Sequence, residues 1–258
     1  MHRMIWVKIV AAVLVISGAV SCSDPLVSDG KKLYGYYCAH CHGIKGNGNG
    51  YNAVNLDPKP RDHTDGGESY MAGRTNDELF EAVYKGGKGI GKSPFMPPWG
   101  GLFSEKEIWS LVAYMRTLHK NEAPEVVVPA KASIERPKLP VARITSLDIP
   151  EKLDENGQPI DPAEVKAGLV KTGERLFYKT YGCNSCHSIN GEGGKVGPSL
   201  SRVGFRLRPT YVYEWLSNPQ SIKKDTKMPN FQLKDRDLLA LTLFLETLTA
   251  APEGRPKF

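Results

Sequence analysis

One short element occurs twice in this chain and constrains it more than any other feature. Cys-x-x-Cys-His stands at Cys38–His42 in "YYCAHCHG" and again, 145 residues later, at Cys183–His187 in "YGCNSCHS". The surroundings repeat too. In each case a glycine and a short amphipathic segment with aromatics come before it ("SDGKKLYGYYCAHCH", "VKTGERLFYKTYGCNSCH"), and a Met-Pro pair with a helical pattern comes after it. Self-similarity of this kind means two units of one design rather than one large core.

In the first unit Met96-Pro97 leads to Ser104 with Glu107 three residues later, the signature of a capping box. Ile108, Leu111, Val112 and Met115 then recur at helical spacing. In the second unit Met228-Pro229 leads to the stripe Leu238, Leu241, Leu245 and Leu248. Between the units, residues 121–165 hold seven prolines (Pro124, Pro129, Pro137, Pro140, Pro150, Pro159 and Pro162) and little periodicity, which reads as an extended linker laid over one or both units. Strand signals are scarce apart from "EVVVP" at Glu125–Pro129. The expected fold is mainly α: two tandem helical domains, 23–120 and 166–258, joined by the proline-rich linker 121–165.

Residues 1–21 differ from the body. Arg3 and Lys8 precede an uncharged apolar run from Ile9 to Val20, too short to span a bilayer as a helix and suited to the core of a secretory signal. The run ends in "GAVSC", which resembles a bacterial lipobox and makes Cys22 the expected lipidated N-terminus. Plain cleavage and an uncleaved anchor are the alternatives. Each puts the body of the chain outside the cytoplasm, where thiols become disulfides unless something else claims them. The expected location is the periplasmic side of a bacterial membrane, lipid-anchored.

Charge is uneven. Residues 23–120 hold twelve basic and eleven acidic side chains, the linker five and nine, and residues 166–258 fifteen and eight. A basic C-terminal third suits an acidic protein partner. Nucleic acid is not expected, because the basic residues lie scattered among aliphatics in an exported chain.

Three chemistries compete for Cys-x-x-Cys-His. Structural zinc wants four ligands close together, and Cys38, Cys41, Cys183 and Cys186 sit in different units. A redox disulfide needs no histidine and expects a strand–helix context, which is missing. Covalent haem c uses every residue present: two thioethers fix the porphyrin and the next residue, His42 or His187, reaches the iron from one face. Two covalently bound haem c groups are therefore expected. For the opposite face the first unit offers Met71, Met96 and Met115, and the second only Met228. Met115 falls on the apolar stripe, where a core role is the default. The prolines after Met96 and Met228 stiffen their loops and remove a backbone donor, which makes these two the expected axial ligands.

Each unit resembles a class I cytochrome c domain. The residues that carry the resemblance are Cys38, Cys41, His42 and Met96, then Cys183, Cys186, His187 and Met228. It covers about 28–120 and 166–250. It implies an N-terminal helix crossing a C-terminal one, with Gly30 and Tyr34 against Tyr114, and Gly173 and Phe177 against Phe244. It also implies that the carbonyl of Pro198 accepts a bond from His187, and that of Pro58 or Pro60 one from His42. His40 is expected to be a spacer, and His63 and His119 surface residues. "GIKGNGNG" lacks the Lys-Ser/Thr ending of a phosphate loop and reads as the turn after the haem motif.

With His–Met ligation on both irons, the expected work is outer-sphere electron transfer rather than enzymatic turnover, between a redox donor and acceptor such as membrane respiratory complexes. The protein would act as a shuttle or a bound subunit. Lys223, Lys224, Lys227, Arg206 and Arg208 are the expected docking residues. The alternative is a haem enzyme of peroxidase or sulfur-oxidising type, with one catalytic and one relay haem, which would need an open or displaceable axial position.

Overall fold

The computed structural model describes residues 24–65, 69–140 and 143–249; the expected signal segment and the expected lipidation site Cys22 lie outside them. Helix α1 (Pro25–Leu33) starts on the side chain of Asp24, which accepts from the Leu26 amide, with Pro25 at the first helical position where its missing N–H costs nothing. It widens into a π-helical turn, Tyr34–Cys38, and ends with α2 (Ala39–His42). Helices α3 (Asn76–Gly89) and α4 (Glu105–Arg116) both begin with complete capping boxes, Thr75 with Glu78 and Ser104 with Glu107.

The second unit follows the same plan. Helix α5 (Pro162–Arg175), capped by Asp161, also runs into a π-helical turn, Leu176–Thr180. After the second motif comes a two-stranded antiparallel hairpin, β1 (Ser188–Ile189) with β2 (Glu192–Gly193). Short helices α6 (Val203–Arg206), α7 (Pro209–Ser217) and α8 (Pro219–Ile222) lead to α9 (Asp235–Glu246).

Each unit buries one core where its first and last long helices cross. Ile108, Leu111, Val112 and Met115 of α4 pack with Tyr34, Tyr37 and Phe103 in one; Leu238, Leu241 and Leu245 of α9 pack with Leu169 and Phe177 in the other. Glycine sets the crossing distance. A Cβ at Gly30 would run into the Ser110 carbonyl, and one at Gly173 into the Ala240 carbonyl and, at 2.7 Å, the Phe244 Cβ. Tyr34 and Tyr114 meet edge-on at 5.1 Å, and Phe177 and Phe244 lie 5.6 Å apart, so the aromatic pairs implied by the resemblance do form. Among the described residues no helix is long and apolar enough to cross a membrane.

The segment between the units lies across both. Arg136 grips the Glu107 carboxylate, with Nη2 2.7 Å from Oε1; the Ser133 amide donates to the Glu105 carboxylate and the Ser133 carbonyl accepts from the Lys106 amide. Farther on, Asn218 donates to the Leu139 carbonyl, and Leu147, Ile149 and Ile160 pack on the second core. The "EVVVP" run forms no strand. Val126 and Val128 pack on the first core instead, while Asn76 donates to the Pro124 and Glu125 carbonyls.

Candidate haem sites

The π-helical turn at the end of α1 delivers Cys38 to the inside of the first unit, and α2 places Cys41 and His42 on the same wall. They line a cavity of about 710 Å³ together with Met96. Its walls include Tyr34, Tyr37, Leu79, Val83, Trp99 and Leu111. The size and the apolar character suit a large planar macrocycle. Both thiols point into this space without forming a disulfide, and the second pair is likewise free. Among the described residues no group of three or more His, Cys, Asp or Glu gathers as a metal-ion site, so the four-ligand zinc alternative has no structural support.

The histidine geometry is the same in the two units. His42 Nδ1 lies 2.9 Å from the Arg61 carbonyl oxygen, and His187 Nδ1 2.8 Å from that of Pro198. A carbonyl only accepts, so Nδ1 carries the proton in each ring and Nε2 keeps its lone pair for a metal. Burial lowers the pKa of both imidazoles, more than these hydrogen bonds raise it, and favours the neutral form that coordinates. For His187 the acceptor is the expected proline. For His42 it is Arg61, not Pro58 or Pro60: the loop carries the chain one residue past Pro60 before a carbonyl turns inward.

Gly197 lies flat against the His187 ring, where any Cβ would strike it. Burial also raises the thiols, to about 12 for Cys38 and Cys183 and about 11 for Cys186, where the nearby Cys41 of the other unit adds to the effect.

Three methionines reach the first cavity: Met71, Met96 and Met115. Met115 is buried on the apolar stripe, as expected. Met71 is 1% exposed and its backbone is pinned. The Asp65 carboxylate accepts from the Met71 and Ala72 amides, and Arg116 donates to the Met71 carbonyl. Met96, half-buried, sits in a loop whose carbonyl accepts from the Gly87 amide. In the second unit Met228 packs on the core. Its sulfur accepts from Trp215 Nε1 at 3.0 Å and its carbonyl from Gln220 Nε2.

Two histidines expected at the surface, His63 and His119, are buried, and so is the spacer His40. His63 is 7% exposed, stacked on the His42 ring at 4.3 Å and bonded through Nδ1 to the Tyr34 hydroxyl at 3.0 Å. Both contacts replace the water a surface imidazole would have. His119 is buried too, with no hydrogen-bond partner for its ring among the described residues. His40, the spacer, is also buried; burial, then Lys227 and His42, bring its pKa down to about 4.

The two sites face each other. The Tyr36 hydroxyl donates to the Asp225 carbonyl, Lys227 Nζ stands 4.5 Å from the Tyr36 ring centre, and Gly182, directly before Cys183, lies against the Pro94 carbonyl and Phe95 ring of the Met96 loop. Lys227 is therefore engaged between the units rather than free for docking. Lys223, Lys224, Arg206 and Arg208 are exposed.

Two family models match this chain, one in each unit. Residues 25–115 match the family described as cytochrome c oxidase, cbb3-type, subunit III, and residues 170–249 match the cytochrome c family. No curated protein matches the chain. One solved structure with partial likeness is a chain of the reducing HAO-like protein complex of Kuenenia stuttgartiensis. It is 20% identical with a TM-score of 0.30, over 86% of this chain and 96% of that one.

Proposed function

We propose that this chain, two cytochrome c-type domains in tandem with a covalent haem c in each, carries single electrons between redox complexes on the periplasmic side of a bacterial membrane. Electron transfer is what the two domain matches imply. The finer reading rests on one observation. In the first unit His42, held by its Nδ1 proton, lines one cavity with Met96; His187, held the same way, is paired in this reading with Met228, which packs on the second core.

Haem c supplies a one-electron couple at iron when bound, and the chain's own residues do the rest. Cys38, Cys41, Cys183 and Cys186 anchor the macrocycles. The Arg61 and Pro198 carbonyls orient the imidazoles, and the apolar walls keep water out. A methionine thioether among the groups that would hold the iron would favour its reduced form. In this reading the chain is no enzyme in itself. The exposed Lys223, Lys224, Arg206 and Arg208 suit an acidic partner, and a lipid on Cys22 would hold the protein at the membrane. The description of the family matched by residues 25–115, an oxidase subunit, favours a bound subunit over a free shuttle.

The test is a visible spectrum followed through a stepwise redox titration of the purified protein beside its Met96→His and Met228→His variants. Two low-spin haems, each lowered in potential by its own substitution alone, are expected. A haem that is high-spin in the wild type, or indifferent to its substitution, overturns the ligand assignment and puts the haem-enzyme reading ahead.

A further inference from the structure

Asn52 has no exposed surface, yet it is a polar residue in a Gly/Asn-rich turn with no part in the sites as described so far. Its backbone amide donates to the His40 carbonyl, inside the first Cys-x-x-Cys. Its side chain uses both donors and accepts twice. Nδ2 donates to the Ser185 carbonyl at 2.7 Å, inside the second Cys-x-x-Cys, and to Cys41 Sγ at 3.5 Å. Oδ1 accepts from the Lys195 amide at 3.0 Å and from Asn55 Nδ2 at 3.2 Å. The Cys41 thiol stands here for the thioether it becomes on haem attachment. A buried amide that fills its whole capacity across two chain segments is held to one geometry, because any shift leaves a buried group unpaired.

We propose that Asn52 is a positioning residue shared by the two haem sites: it fixes the Cys41 corner of the first against the Cys183–Cys186 loop of the second and polarises the Cys41 sulfur. This rests on the reading of both motifs as haem c sites and adds what sets them relative to each other. Two consequences follow. The spacing and relative orientation of the sites depend on this one amide more than on the peripheral contacts of Tyr36. The positive end of the Nδ2–H dipole at Cys41 favours the electron-richer, reduced state of the first site, and does so without any proton or bond changing place.

The experiment uses the full-length, haem-loaded protein and its Asn52→Leu, Asn52→Ser and Tyr36→Phe variants. It measures haem content, the exciton couplet in Soret circular dichroism, the separate potentials of the two haems and the melting temperature. Asn52→Leu keeps the volume and removes every side-chain polar contact while the backbone bond to His40 remains; Asn52→Ser keeps a small acceptor and cannot span to Ser185, so the question stays answerable if the leucine variant does not fold. The expected result is two haems per chain, a weakened couplet, and a first haem that releases its electron more easily by about threefold in equilibrium, the scale of one net hydrogen bond, while the second stays put. Tyr36→Phe should change neither. An unaltered couplet and first potential with only a lower melting temperature would make Asn52 a plain core residue and overturn the proposal. A wild type without two haems would overturn the haem reading and this inference with it.

Discussion

Two glycines on helix α5 should respond to the same substitution with opposite sign. Gly168 and Gly173 both lie inside Pro162–Arg175, so alanine at either gains helix propensity worth about 1 kcal/mol. At Gly168, exposed, an added Cβ meets nothing within 4 Å, and that gain stands alone. At Gly173 the Cβ would enter the Ala240 carbonyl and come within 2.7 Å of the Phe244 Cβ, so backbone of α9 has to move. Forcing a methyl into a packed crossing costs about 1–3 kcal/mol, which offsets the propensity gain and leaves a net loss of up to about 2 kcal/mol. For a unit of this size each kcal/mol moves the melting point by roughly 4–8 °C. Gly168→Ala should therefore melt several degrees higher than wild type and Gly173→Ala several degrees lower, read by far-ultraviolet circular dichroism of the haem-loaded protein. The α5–α9 crossing carries Phe177 and, through the turn after it, Cys183, so the second site depends on this close approach. If Gly173→Ala melts as high as Gly168→Ala, the helices do not cross as closely as described and the account of the second core fails.

Three further outcomes can be checked. Trp215→Phe removes the donor to the Met228 sulfur and should lower the potential of the second haem alone, in a redox titration of variant against wild type. Arg116→Met leaves the Arg74 carbonyl and Oδ1 of Asn76 without the donors Arg116 supplies, and the Met71 carbonyl with only the Arg74 amide, and should cost about 1–3 kcal/mol in urea unfolding. Burial raises the Glu107 carboxyl, but bonds from Arg136 and the Ser104 amide outweigh it and hold the group below its usual value. Its contribution to stability is then fully present above the unfolded carboxylate value, about pH 4.3, and is lost as the pH falls through the lower folded value. Acid titrations of stability should show wild type losing more below that point than Arg136→Gln does.

What could be read from the sequence follows from where the relevant information lies. The haem motifs, the capping box at Ser104 and the stripe on α4 are local: covalent attachment needs its cysteines and histidine contiguous, and caps and stripes repeat within a few residues. Gly30 and Gly173 were legible through the family resemblance, whose pattern sets such a glycine against an aromatic of the last helix, and the structure places each in the crossing. The family resemblance could name Pro198 but not Arg61 as the imidazole's acceptor, because "GPSL" holds one proline and "LDPKPRD" two, and the path of the loop brings in the carbonyl of the residue after the second.

The residues misplaced, or passed over as Asn52 was, are polar groups whose partners are distant. His63 is buried by Tyr34, 29 residues before it, and by the His42 ring; Asn52 is buried by a carbonyl 133 residues away in the other unit. Hydropathy treats such side chains as surface, since burying them without partners is costly, and no local pattern announces a partner that far along the chain. Lys227 follows the same rule, its charge drawn to the face of Tyr36 across the interface instead of to solvent. A repeated sequence predicts each unit twice over, but the seam between the units occurs only once, so the repeat has no second copy against which Asn52 could have been recognised.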